Sequence, residues 1–133
     1  MSNSPIRRIQ ADNLPSPVGP YSPATAFDRL VFVSGQSGRD PATGVTASGV
    51  EAQTEQTLKN VETILRAAGT DLQHVLRCGV FLVDMAEFSK MNAVYERMFS
   101  GHRPARTTVQ VSGLPGENLR VEIDCVAVRP EKV

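Results

Sequence analysis

Two charged residues set in apolar, β-branched runs are the first candidates for chemistry: Arg106 in Ala105-Arg106-Thr107-Thr108-Val109, and Glu122 in Val121-Glu122-Ile123-Asp124-Cys125. Residues two apart on a strand share a face, so Arg106, Thr108 and Gln110 point one way and Thr107, Val109 and Val111 the other. By the same parity Glu122 and Asp124 go with Val126 and Val128, opposite Val121, Ile123, Cys125 and Ala127. A guanidinium and a carboxylate are each costly to bury alone. If both strands are interior, the two charges must meet a partner or a ligand; if the strand ends are solvated, they are wet edge groups, and pattern alone leaves both readings open. Three further sites are ambiguous in the same way. Asn92 lies at the margin of an apolar helical stripe, Tyr21 lies in a proline-rich loop, and Ser34-Gly35 follows a strand where an amide is either turning or open to a ligand.

Other chemistries lack their residues. Cys78 and Cys125 are the only cysteines, outside any CxxC pair, and read as buried thiols. His74 and His102 are the only histidines, which leaves neither a metal site nor a Ser-His-Asp triad its usual members. Fourteen Lys plus Arg balance fourteen Asp plus Glu, so no global field draws the chain to nucleic acid or to anionic lipid. The first residues, Met1-Ser2-Asn3-Ser4-Pro5, lack the apolar run of a secretory signal, and no stretch approaches the roughly 18 apolar residues of a membrane span. The expected compartment is the cytoplasm.

The elements that must position these groups fit one domain, since 133 residues with 41% hydrophobic content supply one core. A single domain over 1–133 is expected, with 1–8 loosely ordered. Residues 12–24 carry four prolines and read as loop. Leu30-Val31-Phe32-Val33 is apolar on both parities, as in a strand buried on both faces, and Asp40-Pro41-Ala42-Thr43-Gly44 is turn chemistry. Ser48 with Glu51 fits a capping box, followed by Leu58, Val61, Ile64, Leu65 and Ala68 at helical spacing up to Gly69. Val75 to Val83 is a second strand. Asp84 with Glu87 offers a cap for a second helix, whose stripe of Phe88, Met91, Val94, Tyr95, Met98 and Phe99 stops before Gly101. Thr107–Val111 and Val121–Val128 are short strands separated by the turn-like Gly113-Leu114-Pro115-Gly116. Two helices cover one face of a five- or six-stranded mixed sheet, so the other, also apolar, face must be buried against further copies of the chain.

Gly19-Pro20-Tyr21-Ser22, Val33-Ser34-Gly35-Gln36, Met91-Asn92-Ala93-Val94-Tyr95, Pro104-Ala105-Arg106-Thr107-Thr108-Val109 and Val121 through Val128, in this order and spacing, resemble the RidA/YjgF family of reactive-intermediate deaminases. The match spans about residues 8 to 129. The resemblance implies an α+β, chorismate-mutase-like fold assembled as a homotrimer with clefts between subunits. It also implies hydrolysis of enamines and imines such as 2-aminoacrylate to 2-oxo acids and ammonia, without a cofactor or metal. By resemblance Arg106 anchors the substrate carboxylate and Glu122 directs water, while Tyr21, Ser34, Gly35, Asn92 and the backbone of Thr108 line the cleft. The best-known members carry cysteine where this chain has Thr108, and the Ser100-Gly101-His102-Arg103 connection is shorter than in some relatives. A carboxylate near Arg106 is expected to stay ionised.

Three alternatives stand beside this reading: a non-catalytic sensor of 2-oxo acids that keeps the cleft and drops the chemistry, a pathway-specific deaminase of the aminomuconate type, and an endoribonuclease. The last has zero net charge, two Tyr, no Trp and no histidine pair against it.

Overall fold

A computed structural model describes residues 5–10 and 12–130. Eight elements follow in order: strands β1 (Ile6–Ile9), β2 (Ala24–Phe27) and β3 (Leu30–Ser37), helix α1 (Val50–Ala67), strand β4 (Val75–Leu82), helix α2 (Phe88–Phe99), and strands β5 (Ala105–Gln110) and β6 (Val121–Val128). The strands form one mixed sheet in the order β1-β2-β3-β6-β4-β5. Only β4 and β5 run parallel, and α2 is the crossover that a parallel pair requires.

β6 lies between β3 and β4, and its burial alternates strictly along its length. Val121, Ile123, Cys125 and Ala127 are buried with Val31, Val33, Cys78, Val80 and Leu82 of the neighbouring strands. Leu58, Val61, Ile64 and Leu65 of α1 and Met91, Tyr95 and Phe99 of α2 complete that core. Each fully buried aliphatic or aromatic side chain contributes about 1.5–3 kcal/mol, so this single layer carries the fold. On the opposite face Leu30 pairs with Val128 and Phe32 with Val126. Leu30, Phe32 and Val109 are exposed there, so the second apolar face read from the sequence is present, and among the described residues no helix covers it.

Several local expectations are corrected. The capping box does not form: α1 starts after Gly49, whose φ of 87° redirects the chain, and no side chain caps the helix. Its end is as expected, with Gly69 at φ 87° and Thr70 N–H donating to Leu65 O at 2.9 Å. Asp84 does cap, but it caps a single 3-10 turn over Met85–Glu87 that leads into α2. Glu87 instead accepts from Arg120 Nη2 at 2.7 Å and Nε at 2.9 Å. Part of the stretch expected to be loose at the N-terminus belongs to strand β1, paired with the unforeseen β2, and residues 1–4 of it lie outside the described residues.

Gln53, 1% exposed, joins α1 to two loops. Its amide donates to Ala47 O at 2.9 Å and to Asn118 O at 2.8 Å, and its oxygen accepts from Arg120 N–H at 2.7 Å. Gly38 packs on its stem so closely that a Cβ would lie 2.6 Å from Gln53 Cβ. Replacement by Gln53→Leu strands three backbone groups, each costing about 1–3 kcal/mol where water cannot reach. The expected outcome is a loss of about 3 kcal/mol or more, seen as a lower urea midpoint at unchanged m.

Candidate functional site

The pleat of β6 sends Glu122 and Asp124 to the face without helices. Beside them β3 carries a bulge: Val33 pairs with Cys125 and Gln36 with Ile123, so Ser34 and Gly35 together span Asp124. The bulge turns Gly35 onto the Glu122 carboxylate so tightly that a Cβ there would overlap it. On the other flank Gly79 of β4 faces Asp124, whose Oδ1 accepts the Gly79 N–H at 2.9 Å, and a Cβ there would also collide. Each carboxylate thus rests against a residue with no side chain. Ser34 fastens the bulge to the N-terminal loop, its Oγ donating to Ser22 O at 2.7 Å and its N–H to Pro23 O at 2.9 Å.

Glu122 opens into a cavity of about 390 Å³ walled by Tyr21, Gly35, Gln36, Arg39 and the loop around Glu117. Tyr21 is half-exposed, and its hydroxyl accepts from Val18 N–H at 3.3 Å. Burial pushes the Glu122 carboxyl above the usual glutamate range, and the like charge of Asp124 adds to that push.

Arg106 lies elsewhere. On β5 it stands beside Cys78 of β4, on the face covered by the helices. Its guanidinium stacks over Tyr95, 4.8 Å from the ring centroid, with Phe88 at 5.6 Å. Among the described residues no carboxylate is close enough to pair with it. It lines a second hollow with Asn92, Tyr95, His102 and Arg103. Asn92 Oδ1 is buried there with no hydrogen-bond partner among the described residues. Thr108, two residues along β5 from Arg106 and opposite Val80, lines neither hollow.

One chain therefore holds the expected site as two separate halves: Tyr21, Gly35 and Glu122 on one face, Asn92 and Arg106 on the other. Within one chain the sheet lies between Arg106 and Glu122, so the guanidinium does not offset the upward push on the Glu122 carboxyl. The remaining candidates are structural. Cys78 and Cys125 are buried cross-strand neighbours, and burial pushes the Cys78 thiol up to about 11. His74 Nδ1 sits 2.8 Å from Asp71 Oδ1, and His102 Nε2 lies 2.7 Å from Val75 O. Among the described residues no group of three or more His, Cys, Asp or Glu could hold a metal ion, and no helix is long and apolar enough to cross a membrane.

The family model described as Endoribonuclease L-PSP matches residues 11–129 of the chain. The chain belongs to this family. Its similarity to the RidA/YjgF branch is borne out by a structure of the YjgF gene product from E. coli, which superposes with a TM-score of 0.88 at 35% identity over 93% of this chain and 99% of that one. Protein DfrA of Myxococcus xanthus is 46% identical over 92% of this chain and 95% of its own length. The 2-iminobutanoate/2-iminopropanoate deaminase of Mus musculus is 42% identical over 96% and 95%.

For this L-PSP family chain the sequence did not reveal that Tyr95 and Phe88 form the bed of Arg106. Both fit the buried stripe of α2, and only their place facing a strand arginine distinguishes them. Arg39 was missed because its neighbours read as a turn and nothing more.

The two β6 carboxylates are coupled, so removing the Asp124 charge should make Glu122 easier to ionise. In Asp124→Asn, whose side-chain oxygen can still accept the Gly79 N–H, the Glu122 titration midpoint followed by carbon NMR should move down toward the ordinary 4.5. An unchanged or higher midpoint contradicts the coupling.

Proposed function

We propose that the chain hydrolyses reactive imines and enamines of small 2-amino acids to 2-oxo acids and ammonia, and that the working site forms between copies of the chain. The observation that carries this reading is the division of the site. A buried carboxylate with a raised pKa lies over the bare Gly35 backbone in one cavity, while a guanidinium without a carboxylate partner lies in the other. The names of the relatives supply the reaction class, since several at 40–42% identity are 2-iminobutanoate/2-iminopropanoate deaminases.

In this reading homotrimer assembly buries the open sheet face around a threefold axis, and Arg106 and Asn92 of one copy face Glu122, Tyr21 and Gly35 of the next. The forked donors of Arg106, held flat by Tyr95, take the planar carboxylate of the ligand. The Gly35 amide and Ser34 hold the same end, and the Thr108 backbone meets the nitrogen or the attacking water. An enamine first shifts to its imine tautomer. Glu122 accepts a proton as water adds to the imine carbon, the nitrogen gains protons, and the carbinolamine collapses to a carbonyl with loss of ammonia. A reactant already unstable in water needs chiefly positioning beside that water. Thr108 in place of cysteine costs little where only its backbone takes part.

The family's description as an endoribonuclease favours RNA cleavage as a second reading, and the balanced charge of the chain stands against it. Generating 2-aminoacrylate in place with a serine dehydratase tests both. Pyruvate should appear faster than its spontaneous rate with the wild-type chain, and Arg106→Ala and Glu122→Ala should each lose at least about tenfold. Co-expressing the two inactive variants should restore activity, at about a quarter of the sites under random mixing, because some sites then draw Arg106 and Glu122 from different intact copies. No acceleration by the wild type defeats the deaminase reading, no complementation defeats the shared site, and RNA cleavage lost with Glu122 supports the rival.

A further inference from the structure

Arg39 is a second cation without a role in the reaction just described. It lies on the wall of the Glu122 cavity, together with Tyr21, Gly35 and Gly44. Its main chain is fixed: Arg39 O accepts from the buried Asn60 side chain at 2.8 Å, and Arg39 bridges Thr46 across the loop. The turn that follows closes through Gly44 N–H to Asp40 O at 2.7 Å. The guanidinium lies over Gly44, its Nη2 3.5 Å from where a Cβ would stand, so a glycine at φ 76° leaves it room. The adjacent carboxylate is otherwise engaged, because Asp40 Oδ1 accepts the Ala42 N–H at 2.8 Å. Among the described residues Arg39 has no ion-pair partner. Glu117 lines the same cavity from an exposed loop without reaching ion-pair distance.

In the separate chain the hollow that Glu122 and Arg39 share measures about 390 Å³, within the range of ligand-sized cavities. An unpaired guanidinium on the wall of this hollow is suited to a planar anion on the far end of a longer ligand.

We propose that Arg39 determines specificity, binding a second carboxylate so that the site favours imines of dicarboxylic amino acids over monocarboxylic ones. This rests on the imine-hydrolysis reading for its chemistry, with Arg106 on the carboxylate next to the reacting carbon and Arg39 on the distal one. Arg39 touches no reacting atom. Its effect is on which side chain is held, and because it is exposed its pull weakens as salt rises.

Two arms test it in the full-length chain. In the kinetic arm, the imines of glutamate and alanine are made in place by an amino-acid oxidase and their hydrolysis is timed. The ratio of kcat/KM for the glutamate imine to that for the alanine imine should fall by about tenfold or more in Arg39→Met, recover in part in Arg39→Lys, and decline with added salt in the wild type. In the binding arm, calorimetry compares 2-oxoglutarate with 2-oxobutanoate, and the wild-type preference for the former should be lost in Arg39→Met. A ratio and a preference that the substitution leaves within twofold overturn the proposal while imine hydrolysis stands. If the wild type accelerates neither imine, the hydrolase reading fails, and the binding arm alone decides whether Arg39 selects dicarboxylates.

Discussion

The strict pleat of β6 governs the molecule. A strand held on both sides by ladder partners cannot rotate, so burying Val121, Ile123, Cys125 and Ala127 under the helices obliges Glu122 and Asp124 to emerge on the other face. Two glycines accommodate that obligation, one on each neighbouring strand. Gly35 and Gly79 leave the space that the two carboxylates fill, and the Gly79 amide gives Asp124 a donor in return. A one-residue slip of β6 would place two carboxylates in an apolar core and turn the four buried side chains of the strand to the other face. The same register that stabilises the fold therefore also fixes the candidate base.

The parity of β5 sets the other half. Its parallel pairing with β4 puts Arg106 beside Cys78 on the helical side, where α2 presents Tyr95 and Phe88 to it. An aromatic bed compensates a guanidinium for lost water without occupying its hydrogen-bond donors, as a carboxylate would. The side chain is held and still able to bind. Lysine in that place would have neither the flat stacking surface nor the fork.

Much of this was legible in the residues. Strand parity alone assigned Glu122 and Asp124 to one face and the aliphatic residues between them to the other, and the stripes of α1 and α2 gave both helices their buried sides. An apolar second face was foreseen from Leu30 and Phe32. What parity could not give was the relation between strands. Whether Arg106 and Glu122 share a face depends on the β4 to β5 crossover and on the order of strands, which are contacts distant in sequence. β1 and β2 escaped because Ile6–Ile9 and Ala24–Phe27 are short and flank a proline-rich loop, so their strand character comes from pairing with each other and with β3 rather than from pattern. The Ser48–Glu51 box failed for a local reason: a positive φ at Gly49 starts the helix a residue too late for Ser48 to reach it.

In the proposed assembly, the division of the site couples its electrostatics to the contact between copies. Burial and Asp124 raise the pKa of Glu122 in the separate chain, so the ionised form is disfavoured by folding. For an acid shifted in this direction the penalty is absent below its unfolded pKa and is fully felt once the pH has passed the raised folded value. Around neutral pH the separate chain thus carries an unfavourable charge, and it also carries an apolar sheet face in water. In the proposed assembly both are relieved at one interface, since the face is covered as the guanidinium of a neighbouring copy approaches the carboxylate. A carboxylate that a partner's cation keeps ionised is one able to accept a proton from water, so the interaction that would stabilise the oligomer is the one that would prepare its catalyst. A chain with Arg106 and Glu122 on the same face would neutralise the pair internally and occupy the donors that a substrate carboxylate needs. Opposite faces keep the two groups from pairing within one chain, which leaves both free for the proposed contact between copies with the ligand between them.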